Sequence, residues 1–123
     1  MTISEALTRA NAVKPNTYSD VDKIRWLSTL DGYIKAHIID THEGGEDVVF
    51  NGYDENTSLE TELLIPAPHD HIYVHWLESQ IDYGNDEYDR YENTMGMYNT
   101  AFEEFVRYYN RTHMPKGKKI KYF

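Results

Sequence analysis

From Ile72 to the end of the chain's last long segment, one face repeats at spacings of three and four without a slip. It runs through Val74, Leu77, Ile81, Gly84, Tyr88, Tyr91, Met95, Tyr98, Phe102, Phe105 and Tyr109. That period is the one a helix needs to lie along a partner surface. The phase continues across "YGNDEYD" at 83–89, but the local chemistry there points to an interruption. Gly84 can close one helix, Asn85 can cap the next, and acids follow for its first turn, so we read a break or sharp kink at 84–86. Pro115, in "HMPKG", ends the last helix, because it cannot continue one and disfavours helical backbone at Met114.

The first half carries two more helical patterns. "TISE" at 2–5 is a capping box, with Ile3, Ala6, Leu7 and Ala10 on one face behind it, so a helix is expected over about 3–13. Ser19 is the expected cap of the next helix, with Asp20 and Asp22 in the first turn, where the positive end of the helix dipole favours acids. Its apolar stripe is Ile24, Leu27, Leu30, Ile34 and Ile38, widened by Trp26, Tyr33 and His37, and Gly44 and Gly45 are expected to end it. Residues 46–66 have no helical period. "DVVF" and "ELLI" flank a turn-rich "NGYDENTSLET", which predicts a short β-hairpin or extended insertion. The fold class expected is mainly α, a small bundle of three to four helices with that insertion on its side.

Composition narrows the function. At 123 residues the chain is sized for one domain, and it contains no cysteine, which removes disulfides, thiolate metal sites and cysteine nucleophiles. No apolar run approaches the roughly 20 residues that span a bilayer, and the start lacks the pattern of a signal peptide, so a cytoplasmic protein with no membrane partner is expected. Formal charge is −9, but the last eight residues, "KGKKIKYF", carry four lysines and no acid, so residues 1–115 hold −13. An acidic body repels a phosphate backbone, so direct nucleic-acid binding is not expected.

Three of the six histidines fall in "HDHIYVH" at 69–75. His71, His75 and Glu78 stand at i, i+4 and i+7, one face of a helix and the spacing a divalent metal accepts, with His69 and Asp70 able to add a ligand. The spacing lacks the "HExxH" order that brings a catalytic base with the ligands, and Asp70 reads equally well as a helix cap with polar histidines around it. A metal-dependent hydrolase on these three residues is therefore carried as a rival, and no metal or cofactor is assigned. Pairs such as Glu103 with Glu104 and Asp86 with Glu87 are adjacent on a helix, point about 100° apart, and read as solvated faces. No phosphate loop, nucleophile elbow or dinucleotide fingerprint is present. A non-enzymatic protein is expected.

Tyrosine makes up 11 of the 17 aromatic residues, and six of these tyrosines stand at positions 83–109. Each buried hydroxyl needs a partner, so part of this surface, Tyr91 and Tyr98 included, is expected to face another subunit.

The stretches "YSDVDKIRWLSTLDGYIKAHIIDTHEGGE", "FNGYDENT", "LLIPAPHDHIYVHWLESQIDYGNDEYDRYENTMGMYNTAF" and "YYNRTHMPKG" together resemble the small proteins of tailed-phage and prophage morphogenesis clusters, in particular the head-tail connector, or adaptor, family. The resemblance covers nearly the whole chain. It implies a mainly helical, non-catalytic subunit that forms a ring beneath the portal and contacts the portal and other neck or tail proteins, first in the host cytoplasm and then in the virion. Residues 1–115 would form the connector-like domain and 116–123 a basic extended tail. Lys116, Lys118, Lys119, Lys121, Tyr122 and Phe123 would dock on an adjacent subunit or on the portal. A second rival is an acidic prophage-encoded inhibitor that mimics DNA charge; such a mimic gains little from a lysine tail.

Overall fold

The computed structural model describes residues 1–116. Four helices carry the fold: α1 (Ile3–Val13), α2 (Asp20–Ile34), α3 (Ile72–Gly84) and α4 (Tyr88–Thr112). The predicted starts of the first two helices are realised atom by atom. The Glu5 N–H donates to Thr2 Oγ1 at 3.1 Å while the Thr2 N–H donates back to Glu5 Oε1 at 3.4 Å. The Asp22 N–H donates to Ser19 Oγ at 3.2 Å. Ala6 and Ala10 are fully buried, and their small side chains let α1 sit close to α3. The whole predicted stripe of α2, from Ile24 to Ile38, is buried.

The α2 helix does not run to the glycines. It widens into a π-helical turn at Lys35–Ile39, whose carbonyls are then taken by side chains. Thr41 Oγ1 donates to the His37 and Ile38 carbonyls at 3.1 and 2.9 Å, and His42 Nδ1 lies 2.6 Å from the Ile38 oxygen. With those acceptors occupied, the chain turns away, and Gly44 takes a left-handed φ of 86° one turn later.

The expected β-hairpin at about 46–66 is not formed; among the described residues there is no strand, only two isolated bridges. The physical reason lies in what the backbone of this segment bonds to. "ELLI" pairs with the start of α1 rather than with "DVVF": the Ile3 N–H donates to the Thr61 carbonyl at 3.1 Å, and the Leu63 N–H to the Met1 carbonyl at 3.0 Å. Side chains of the helices take three more of the segment's amides. The Tyr53 N–H donates to Ser28 Oγ at 3.0 Å, Leu64 N–H to Asp31 Oδ2 at 3.1 Å, and Ile65 N–H to Tyr73 Oη at 2.7 Å. Leu63 and Ile65 plug the core while Val49 stays 77% exposed, so the two apolar runs never face each other.

The heptad-like seam is divided at the predicted place. Its α3 half ends at Gly84, Asp86 takes a φ of 59°, and α4 begins at Tyr88. Tyr18 presses its hydroxyl against Gly84, where an added Cβ would stand 2.1 Å from that oxygen. The contacts of Asp82 with Thr94, Trp76 with Tyr98, and His69 with Phe105 run in opposite senses along the two helices, so α3 and α4 form an antiparallel hairpin. Both halves of the seam therefore meet on the same interface. Leu77, Ile81, Phe105 and Tyr109 are buried in it, Tyr91, Tyr98 and Phe102 lie at its edge, and Tyr88 is 55% exposed.

Candidate functional site

Folding α4 back along α3 leaves a groove on each flank of α4. Helical geometry sorts its residues: Thr94, Ala101 and Phe105 point to the core, Tyr98 and Phe102 to one flank, and Asn93, Met97, Thr100 and Glu104 to the other.

The first groove, about 360 Å³, lies between α2, α3 and α4 and is lined by Thr29, Leu30, Tyr33, Trp76, Tyr98 and Phe102, with Asn99 at its rim. It is a platform of aromatic rings. Trp76 is fixed by its Nε1–H, which donates to the Trp26 carbonyl at 2.9 Å, and Tyr98 lies against it with ring centroids 5.2 Å apart. Phe102 follows at 5.8 Å from Tyr98, and Tyr33 closes the arc at 6.1 Å from Phe102. Burial, and secondarily the neighbouring Tyr33, push the Tyr98 phenol up to about 12, so it remains a protonated donor at the edge of an apolar surface. Tyr33 is 50% exposed and forms the outer lip. Of the two tyrosines expected to face a partner, Tyr98 lies in this groove. Tyr91 lies elsewhere, beside Tyr83 at the α3–α4 turn with ring centroids 5.2 Å apart.

The second groove, about 440 Å³ and more open, runs between α3 and α4 and is lined by His71, His75, Asn93, Met97, Thr100 and Glu104 among others. The predicted trio is only partly gathered. The His71 and His75 rings are 5.7 Å apart in an edge-on arrangement, and His75 Nδ1 is 3.9 Å from Glu78 Oε1. Glu78, however, is buried on the inner side of α3 and belongs to a different cluster. Burial raises its carboxyl above the usual range; Lys14 opposes the shift and Asp82 adds to it. Asp82 is fully buried, with its Oδ2 3.1 Å from Lys14 Nζ and accepting from Thr94 Oγ1 at 3.2 Å. Among the described residues, no three side chains of the histidine, aspartate and glutamate kinds converge as ligands for a metal ion. Glu103 and Glu104 are both exposed, as adjacent helical residues were expected to be; Asp86 and Glu87 fall at the turn, outside α4.

Lys116, the first residue of the predicted tail, folds back on the loop after α2. Its N–H donates to the Thr41 carbonyl at 2.8 Å and its ammonium lies 3.5 Å from Glu46. Its own backbone amide, and next this exposed ion pair, draw the Glu46 carboxyl below its ordinary value. Lys118, Lys119, Lys121, Tyr122 and Phe123 lie outside the described residues.

Sequence reasoning missed a fully buried carboxylate that ties three segments together. Asp31 is fully buried in α2, and its carboxylate accepts from the Tyr53 and Tyr73 hydroxyls, both at 2.6 Å, and from the Leu64 amide. Burial raises its pKa, and these three donors hold the rise in check. The signal was present: an aspartate one residue past Leu30, beside a stripe that is otherwise apolar, has to be met by donors from another segment. Because its folded pKa lies above the unfolded value near 3.8, the contribution of Asp31 to stability is full below that value. It declines as pH rises through the folded pKa. The stability margin of the native chain over Asp31→Ala should therefore be wider at pH 4 than at pH 7, as read by urea denaturation of both proteins at each pH; a margin that grows with pH would contradict this.

No family model, no curated protein and no solved structure matches the chain. No helix among the described residues is long and apolar enough to cross a membrane.

Proposed function

We propose that the protein is a non-enzymatic assembly subunit of a phage or prophage particle, a head-tail connector in kind, that packs against copies of itself and against the portal. The observation that carries this reading is the aromatic groove of Tyr33, Trp76, Tyr98 and Phe102. It is rich in tyrosine and tryptophan, the residues that concentrate at the centres of protein interfaces, and its rings are fixed by their own packing. A ring closes only if each subunit presents two different, complementary surfaces. The groove and acidic body supply one; the lysine-rich end with Tyr122 and Phe123 supplies the other. On this reading the aromatic end of one subunit seats among the groove rings of the next, and the lysines meet the carboxylates around it.

The test is incorporation into particles recovered from cells that carry the gene in its native cluster. The native chain should be found in purified particles together with the portal. Deleting residues 116–123, or substituting Tyr33→Arg on the groove's exposed lip, should lower its incorporation at least tenfold while leaving the helical circular-dichroism signal unchanged. A native chain absent from particles, or full incorporation of both variants, would refute the reading.

A further inference from the structure

The second groove supports an inference that does not depend on the proposed assembly role. We propose that His71 and His75 form a two-histidine chelate for a borderline divalent transition-metal ion of the zinc class, with the exposed Glu104 on the facing helix drawing the cation into the groove.

Three observations carry it. The first is spacing and placement: both histidines line the same groove, His71 in the single turn that leads into α3 and His75 one turn inside the helix. The second is ring orientation. His71 Nδ1 lies 2.9 Å from the Pro68 carbonyl, which can only accept, so Nδ1 carries the proton and donates. That leaves Nε2 as the nitrogen with a free lone pair, the arrangement in which a carbonyl behind an imidazole fixes its tautomer for metal binding. His75 makes no hydrogen bond to any described residue: its Nδ1 is buried, with Glu78 Oε1 3.9 Å away. The third is separation. A metal about 2.0–2.1 Å from one nitrogen of each ring, at a tetrahedral angle, would set the ring centres about 5 Å apart. The observed 5.7 Å is within reach of small side-chain rotations.

The rest of the groove suits a cation. Among the described residues Glu104 is the one acid on its lining and no lysine or arginine lies there, and Asn93 and Thr100 offer oxygens to metal-bound water. Glu78 is left out of the ligand set because it is buried and does not line the groove. Two protein ligands with water in the remaining positions make an open site of modest affinity.

Isothermal titration of the full chain with zinc chloride, in a non-chelating buffer at pH 7.5, tests this. The native protein should bind one zinc ion in the micromolar range. His71→Gln and His75→Gln should each weaken that binding at least tenfold, Glu104→Gln should weaken it about threefold, and His37→Gln, which changes an exposed histidine outside the groove, should leave it unchanged. Circular dichroism of each variant shows whether it is folded. If the His75 variant unfolds, the same titration of Met97→His supplies the independent reading, since a third imidazole on the groove lining should tighten zinc binding at least tenfold. No one-to-one binding by the native chain, binding indifferent to His71 and His75, or no gain from Met97→His in a folded protein would each overturn the assignment.

Discussion

Asp31→Ala is expected to destabilise the protein by about 3 kcal/mol at neutral pH. The Tyr53 and Tyr73 hydroxyls and the Leu64 amide all donate to this one carboxylate, and all three lose that acceptor once it is gone. A buried donor left without a partner costs roughly 1–3 kcal/mol, and relief of one buried charge returns part of the sum of three such costs. The effect is not confined to stability. Tyr53 and Leu64 belong to the segment between α2 and α3, so the carboxylate joins that segment to the helices. Thermal unfolding should shift down on the order of 10 °C, and amide exchange at Leu64 and Ile65 should quicken by a larger factor than exchange in α1. A variant with native thermal stability, or one that unfolds with no preferential exposure of residues 53–65, would show that Asp31 does not hold the segment.

Gly45→Ala is the second large expected loss. An added Cβ would stand 2.2 Å from the Ile39 carbonyl oxygen and 3.0 Å from the Asp40 Cα, both backbone atoms with no rotamer to escape into. The chain at this point is held from several sides. The Gly45 carbonyl accepts from Lys35 Nζ at 3.1 Å, the neighbouring Glu43 N–H donates to the Met114 carbonyl at 2.8 Å, and His42 Nε2 lies 2.7 Å from Asn110 Oδ1 on α4. Relief of the overlap would have to shift the π-helical turn or part the loop from the end of α4. Overpacking of this kind costs about 1–3 kcal/mol, with the upper end expected where the obstacle is backbone. Gly44→Ala offers a contrast: its Cβ meets nothing within 4 Å, so only the left-handed φ of 86° is penalised. Guanidinium denaturation of the two variants should rank Gly45→Ala as the less stable; the reverse order would mean that the steric argument fails.

The helices were legible because their signals are local. Thr2 with Glu5, and Ser19 with Asp22, lie three residues apart, and the stripe of α2 repeats within its own length, so no distant contact is needed to specify them. The interruption at 84–86 was legible for the same reason. Its continuous phase on either side was less informative than its chemistry, because an antiparallel hairpin lays both halves of a seam against each other and preserves the period that an unbroken helix would show. The insertion at 46–66 went the other way. Alternation and turn residues described two short runs that could pair, but the amides of the second run were claimed by the start of α1, by Asp31 and by Tyr73, all remote in sequence.

The candidate sites divide along the same line. The histidine spacing placed His71 and His75 on one face, and they line one groove, but it could not tell that Glu78 would be buried off that groove. The excess of tyrosine pointed to a partner surface, while the arc that joins Tyr33 to Trp76, Tyr98 and Phe102 needed three helices to converge.

Where helices begin, which face each buries, where the last pair is divided and the acidity of the body are all readable along the chain. Each of these follows from residues within one or two turns of one another or from a sum over the chain. The path of the insertion, the partners of Asp31 and the two grooves beside α4 emerge when the helices pack. Those depend on which distant donor reaches a buried acceptor first and on which helix faces are left uncovered when the core is full, and neither quantity is written in any local window.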